Sequence, residues 1–394
     1  MGARLLPEQL SSARARASRP LADAFADWFT VASELIQAVS DPPRECADLP
    51  DIGGATRLRA EDFEVEELPA YEADGSPGHL LVWMRKRAFT TEDAIREVSR
   101  QLGIPRQEIG LAGLKDRNAV TRQQISLPYT RPEGAAAYLA RFEHGAIELS
   151  DPRPHSHKLR RGHLHGNRFC VVVRNLPAAF TLGQTQARAQ LSLDRLAANG
   201  LRNYYGEQRF GKDLRNLEPG LATLAGKRRR QKKGDLVLSA GQSALFNLYL
   251  ATRAERGLCR SVLAGDILQK RDSGGMFECE DPAADQARLD AGELVITGPM
   301  FGSKMRSPTP GTPAHALEQA LLASVGLSPA KLARLGRSAP GTRRRLLVWP
   351  GQLELAPAPA ISSATAPELS PGLALRFSLP PGSYATVLLR ELCG

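Results

Sequence analysis

Asp116 stands between Lys115 and Arg117 in the segment GLAGLKDRNAVTRQQIS, Gly110–Ser126. Neighbouring cations favour the charged form of a carboxylate, and an ionised carboxylate can attack as a nucleophile or take a proton as a base. The glycines at 110 and 113 set the acid in a turn, and strand-like runs flank it at about Ile109–Leu114 and Ala119–Leu127. A Lys-Asp-Arg turn is more often a solvated hairpin tip, polar for backbone reasons. The acid gains meaning only from the rest of the chain.

That chain is basic, with 52 Lys and Arg against 42 acids in 394 residues, a formal net charge of +10. The excess is clustered in KLRR (Lys158–Arg161), KRRRQKK (Lys227–Lys233) and RRR (Arg343–Arg345). Clustered cations read as a footprint for a polyanion, RNA before a membrane, because no amphipathic apolar helix accompanies them. For Lys227–Lys233 alone, a solvated basic loop is an equal reading.

Other classes are excluded by what the residues lack. Five cysteines (46, 170, 259, 279, 393) lie scattered without a Cys-x-x-Cys pair. This argues for reduced thiols in a cytoplasmic protein rather than a disulfide framework or a zinc site. Arg4, Arg14 and Arg16 are not followed by a continuous apolar run, so neither a signal peptide nor a membrane span is expected. The Lys of GLAGLKDR precedes an acid rather than Ser or Thr, so the phosphate-loop spacing fails, and no dinucleotide fingerprint occurs. Four of seven histidines fall at 155, 157, 163 and 165, with only Asp151 and Cys170 beside them. No metal is expected there; RNA contact or plain exposure accounts for them.

Elements must position these groups. At 42% hydrophobic and 24% charged, the chain has the length for two ordinary domains. Phe63 and Val65 alternate with Glu64 and Glu66 as a strand does, and a second run follows at His79–Arg85. Thr90 and the acids after it open a helix to about Leu102. A strand is expected at Arg168–Arg174, helices at about Leu182–Ala198, Ser239–Arg256 and Ala314–Val325, and strands again at Arg345–Leu355 and Leu373–Ser378. The Pro- and Ala-rich stretch Ala356–Pro371 reads as a surface loop. Within Met1–Asp51, Leu21–Val39 could form an amphipathic helix and Asp41–Pro50 a linker. Strands and helices mixed without a repeating βαβ period indicate an α+β fold.

DFEVEELP (Asp62–Pro69), GLKDRNAV and NYYGEQRFG (Asn203–Gly211) together resemble the TruD family of pseudouridine synthases. HKLRRGHLHGNRF (His157–Phe169), LSAGQSALFN (Leu238–Asn247) and LPPGSYATVLLREL (Leu379–Leu392) extend the likeness in family order from roughly Ala55 to Leu392. The family converts uridine to pseudouridine at position 13 in the D arm of transfer RNA. The resemblance implies a pseudouridine synthase domain with a mixed, largely antiparallel sheet, in two pieces, 52–227 and 344–394. An α/β TRUD domain at 228–343 is then inserted between them, RNA entering the cleft, and 1–51 is an extension without counterpart.

It implies roles as well. Asp116 becomes the catalytic group, acting either by covalent adduct or by taking a sugar proton to give a glycal; the residues do not choose between these. Tyr205 stands where the family usually carries Phe and is the expected platform for the loosened base, whereas Tyr204 and Phe210 read as core. Asn203 matches a residue that helps hold the substrate, an amide being able to donate to and accept from uracil. Phe63 and Tyr384 match positions lining the pocket. Arg57 is the expected partner of Asp116, and Lys115 is counted with the substrate-binding set. No cofactor is expected, since the isomerisation adds and removes nothing; the expected partner is transfer RNA, and the protein is expected to be a monomer. The alternative is a protein that binds or remodels transfer RNA without chemistry; the acid argues against it, because a carboxylate among phosphates costs affinity.

Overall fold

The computed structural model describes residues 31–129, 134–226, 234–363 and 366–394. The described chain forms two compact units. One takes Cys46–Gly200 with Trp349–Gly394, the other the described part of Met1–Glu45 with Leu201–Val348. The expected insertion, 228–343, falls inside the second of these.

The first unit is built on one mixed sheet. Its strands in this part of the chain are β1 (Phe63–Pro69), β2 (Gly78–Arg87), β3 (Gly110–Leu111), β4 (Val120–Tyr129), β5 (Ile147–His155) and β6 (Leu164–Val173). Across the sheet the order is Gly351–Ala358, Gly372–Leu379, β6, β1, β4, β2, β5. Only β1 and β4 run parallel, with Glu64 opposite Val120 and Glu66 opposite Arg122. Every other pairing in the sheet is antiparallel. β3 takes up β4 further along, Gly110 opposite Ser126.

Alternation decides which side chains meet the core. Leu80, Val82 and Met84 of β2 and Ile125 and Leu127 of β4 turn to one face. The helix Thr91–Leu102 covers it with Ala94, Ile95, Val98 and Leu102 at helical spacing. The expected start is borne out: the Thr90 side chain accepts from the Asp93 N–H, and Gly103 closes the helix at φ 66°. The helix Leu182–Asn199 opens with a capping box between Thr181 and Gln184.

Two expectations change. The run before Asp116 pairs only at Gly110–Leu111, and the chain passes close to Leu159 there. A β-carbon on Gly110 would stand 2.6 Å from the Leu159 carbonyl oxygen, so only glycine fits. The 356–371 stretch is not all loop, since Ile361–Ser363 pairs with Ala366–Leu369 as a small hairpin.

In the second unit, Thr342–Arg345, Leu294–Met300, Ile267–Lys270 and Met276–Glu278 form a four-stranded antiparallel sheet. Leu294–Met300 is buried along its whole length. The long helix Gly234–Glu255 packs on it and buries Leu245, Phe246, Leu248, Tyr249 and Leu250. Arg253 of that helix, fully enclosed, grips Asp266 through two N–H···O bonds of 2.7 and 3.0 Å. The helix Val31–Ser40 buries Leu35, Ala38 and Val39, so the end of the expected extension is packed rather than appended.

Candidate active site

Asp116 lies in the irregular stretch between β3 and β4. Its carboxylate is about one-third exposed, at 35%, and accepts from Arg57 Nη2 at 2.9 Å on Oδ2. The expected pairing with Arg57 is thus present, across 59 residues of chain. Arg57 also lies over the Phe63 ring, 4.0 Å from its centroid. Phe63 is fully buried, edge-on to Phe169, which in turn stacks on Phe377. Phe63 therefore serves as the floor on which the guanidinium rests.

The segment carrying Arg57 is held at both ends. Ala55 exchanges two backbone hydrogen bonds with Arg174, of 2.7 and 2.8 Å. The buried Arg174 guanidinium grips Asp62 with Nε and Nη2 at 2.9–3.1 Å and gives Nη1 to the carbonyls of Pro359 and Ser370. Between these anchors Arg57 adopts φ 62°, a left-handed conformation that a branched or long side chain pays for in strain. The strained residue is the one that reaches the acid.

Lys115 does not flank the carboxylate as the sequence order implied. Its ammonium turns inward to Glu67, Nζ–Oε2 2.7 Å, with the two side chains only 4% and 1% exposed. Glu67 accepts from the Gln124 N–H on its other oxygen at 3.2 Å. Thr91, at the start of its helix, accepts from the Lys115 N–H at 2.9 Å and donates to Gln123 Oε1 at 3.0 Å. Gln123 in turn donates to the Gly113 carbonyl at 2.9 Å. Lys86, fully buried on β2, donates to the carbonyls of Phe89 and of Asp116 itself, both at 2.7 Å. Burial lowers its pKa to about 8.

None of Glu67, Lys86, Thr91 or Gln123 was singled out from sequence, yet a signal existed. Each strand residue among them occupies an inward register position: Glu67 in phase with Phe63 and Val65, Lys86 with Leu80, Val82 and Met84, Gln123 with Ile125 and Leu127. A polar group in an apolar register needs a partner, and here the partner is the loop of Asp116.

Tyr384, half-buried, precedes the helix Ala385–Cys393 in this same unit. Asn203 and Tyr205 belong to the other unit. There the Asn203 amide is engaged at both ends: Nδ2 donates to the Arg345 carbonyl at 3.0 Å, and Oδ1 accepts from Arg344 at 2.7 Å. Arg344 so held lies 4.0 Å from the centroid of the half-buried Tyr205 ring, with Phe246 edge-on at 5.8 Å. Asn247 fixes the Tyr205 backbone, accepting from its N–H at 2.8 Å and donating to its carbonyl at 3.0 Å. The Tyr205 hydroxyl donates to the soft acceptor Met300 Sδ at 3.5 Å. Tyr204 and Phe210 are buried core residues, as expected.

The basic clusters separate. Arg160 and Arg161 are exposed. Arg343, counted from sequence with the polyanion footprint, is instead buried against Glu318 at 2.6 Å, because alternation along Thr342–Arg345 turns it inward. The 227–233 run lies outside the described residues. His155 stacks on Tyr71, and Tyr71 pairs through its hydroxyl with His163 Nδ1 at 2.7 Å. Among the described residues no group of His, Cys, Asp and Glu is arranged to hold a metal. No described helix is long and apolar enough to cross a membrane.

Known proteins share this arrangement of chain. The sequence model of the family described as tRNA pseudouridine synthase D (TruD) matches residues 45–229 and 230–392. The tRNA pseudouridine synthase D of Anaeromyxobacter dehalogenans is 41% identical over 362 residues, covering 90% of this chain and 97% of the relative. That of Thermus thermophilus is 37% identical over 349 residues, covering 88% and 90%. A crystal structure of the putative tRNA pseudouridine synthase D from Methanosarcina mazei has the same fold, with a TM-score of 0.68 at 23% identity over 93% of this chain and 98% of that one. With a family model spanning nearly all of it and relatives this similar along their whole length, the chain belongs to the TruD family of tRNA pseudouridine synthases.

Proposed function

We propose that the protein isomerises uridine to pseudouridine in transfer RNA, at position 13 of the D arm, with Asp116 as the catalytic nucleophile or base. The observation that carries this reading is the Arg57–Asp116 pair. A carboxylate gripped on one oxygen by a permanent cation, on a loop tied down by buried polar groups, remains partly open to solvent.

The reaction breaks the N1–C1′ bond, turns the uracil, and joins C5 to C1′. The proton on C5 leaves and N1 gains one, so the atoms balance without a cofactor. Either route open to Asp116, an adduct with the nucleoside or abstraction of a sugar proton, needs the uridine out of its stack. Tyr205 is the proposed stacking ring for that base, with Asn203 acting through the Arg344 it holds. Phe63 supports Arg57 from beneath, Lys115 stiffens the loop through Glu67, and Tyr384 lines the pocket. Exposed cations such as Arg160 and Arg161 meet phosphates. The chain works as a monomer in the cytoplasm, where its substrate is found.

Tritium release from transfer RNA labelled at uridine C5 tests this under single-turnover conditions. The wild-type protein is expected to release tritium with no added cofactor. Tyr205→Phe should stay within about threefold, since it keeps the ring that stacks and removes a hydroxyl whose bond to the Met300 thioether, at 3.5 Å, is weak. Tyr205→Ala should lose more than tenfold, base–aromatic stacking being worth about 1–3 kcal/mol before the misplacement of the base is added. Bound transfer RNA without release would leave the protein a binder. Equal damage from both Tyr205 variants would give the hydroxyl a chemical task and end the platform role.

A further inference from the structure

Lys86 is unusual among the buried cations of the described residues. Lys115, Arg174, Arg253 and Arg343 each face a carboxylate at 3.0 Å or less. Lys86 is equally enclosed, but its ammonium donates only to two backbone carbonyls, those of Phe89 and Asp116. A buried ammonium without a carboxylate against it costs the fold heavily. The groups around it are few. On the neighbouring strands it stands opposite Thr121 and Ile147, neither of which titrates. From the loop, Asp116 favours its charge and Lys115 opposes it, while Glu67 is occupied by Lys115.

We infer that Lys86 is a positioning residue for the reaction: its buried ammonium ties the backbone of Asp116 to β2 and fixes where the carboxylate meets Arg57. The tie acts on the main-chain carbonyl of the reacting residue itself, and the ammonium that makes it is fully buried. The inference rests on the reading of Asp116 as the catalytic group.

Linkage gives it a signature that a simple strut lacks. The folded-state pKa of Lys86, lowered to about 8 by burial, lies below the 10.5 of an unperturbed lysine. Between those values the unfolded chain binds more protons than the folded one, so this group's contribution to stability rises with pH. Over the same window the ammonium becomes an amine, whose two remaining N–H groups hold the Phe89 and Asp116 carbonyls more weakly. Turnover should therefore fall while the fold gains, whereas a residue that acts only through stability would move both together.

The test is single-turnover pseudouridine formation on saturating transfer RNA from pH 6.5 to 10, beside denaturant unfolding, for wild type and Lys86→Met. Wild type should lose turnover in a one-proton step with a midpoint near 8, about tenfold per pH unit above it. Lys86→Met, a chain of similar length without the charge, should bind transfer RNA within about threefold. It should turn over at least about a hundredfold more slowly at pH 7, without that alkaline step. A flat wild-type profile through pH 10 would overturn the inference, and it needs no variant to fold. So would Lys86→Met with wild-type turnover, or one that keeps the alkaline step. A wild-type protein with no pseudouridine formation at any pH would refute the reading of Asp116 instead.

Discussion

Asp116→Asn is expected to abolish pseudouridine formation while leaving transfer RNA affinity within about tenfold. The amide keeps the shape of the carboxylate but can neither form an ester nor accept the proton. Removing a group that carries the reaction typically costs on the order of 10³ to 10⁶ in rate. The fold should tolerate the change. The Arg57–Asp116 pair is partly exposed, at 22% and 35%, and such pairs contribute at most about 1 kcal/mol. Single-turnover rates, binding and circular dichroism measured together check the prediction. A folded Asp116→Asn protein that modifies transfer RNA at a rate comparable to wild type would remove Asp116 from the chemistry.

Glu67→Ala is expected to act through the fold as well. It leaves the Lys115 ammonium buried with no counter-charge and removes the acceptor of the Gln124 N–H. Breaking a buried pair from one side costs about 3–5 kcal/mol, chiefly through the charge left behind. The loop that carries Asp116 loosens with it, so turnover should fall at least about tenfold at temperatures where the protein still folds. Adding Lys115→Met to Glu67→Ala should restore much of the stability, because the stranded charge is gone. Urea unfolding of the two single variants and the double variant checks this. A loss under about 1 kcal/mol in Glu67→Ala would mean that water reaches the pair and that the loop is held by other means.

Much of this was legible in the chain. The strand at Phe63, the capped helix at Thr90 and the helix at Leu182 were visible from alternation, capping and spacing, because local rules set them. The acid and its cation were visible from motif and family likeness, although composition alone would have paired Asp116 with the residues beside it. What stayed hidden depends on direction. Sequence order puts Lys115 next to Asp116, yet the backbone sends its side chain to Glu67. It puts Arg343 in a basic run, yet the pleat turns that residue inward to Glu318. The supporting residues Lys86, Glu67 and Gln123 show themselves only once the register of β1, β2 and β4 is known, because each is polar at a position the register assigns to the core.

The proposed reaction moves the uracil of one uridine from N1 to C5 without a cofactor. Its most direct test is to incubate the protein with an unmodified transfer RNA transcript, add no cofactor, and map pseudouridine chemically at every position. One new pseudouridine is expected, at position 13 of the D arm, and none in a transcript carrying cytidine there. Transfer RNA that binds yet acquires no pseudouridine anywhere, or acquires it only at other positions, would contradict it.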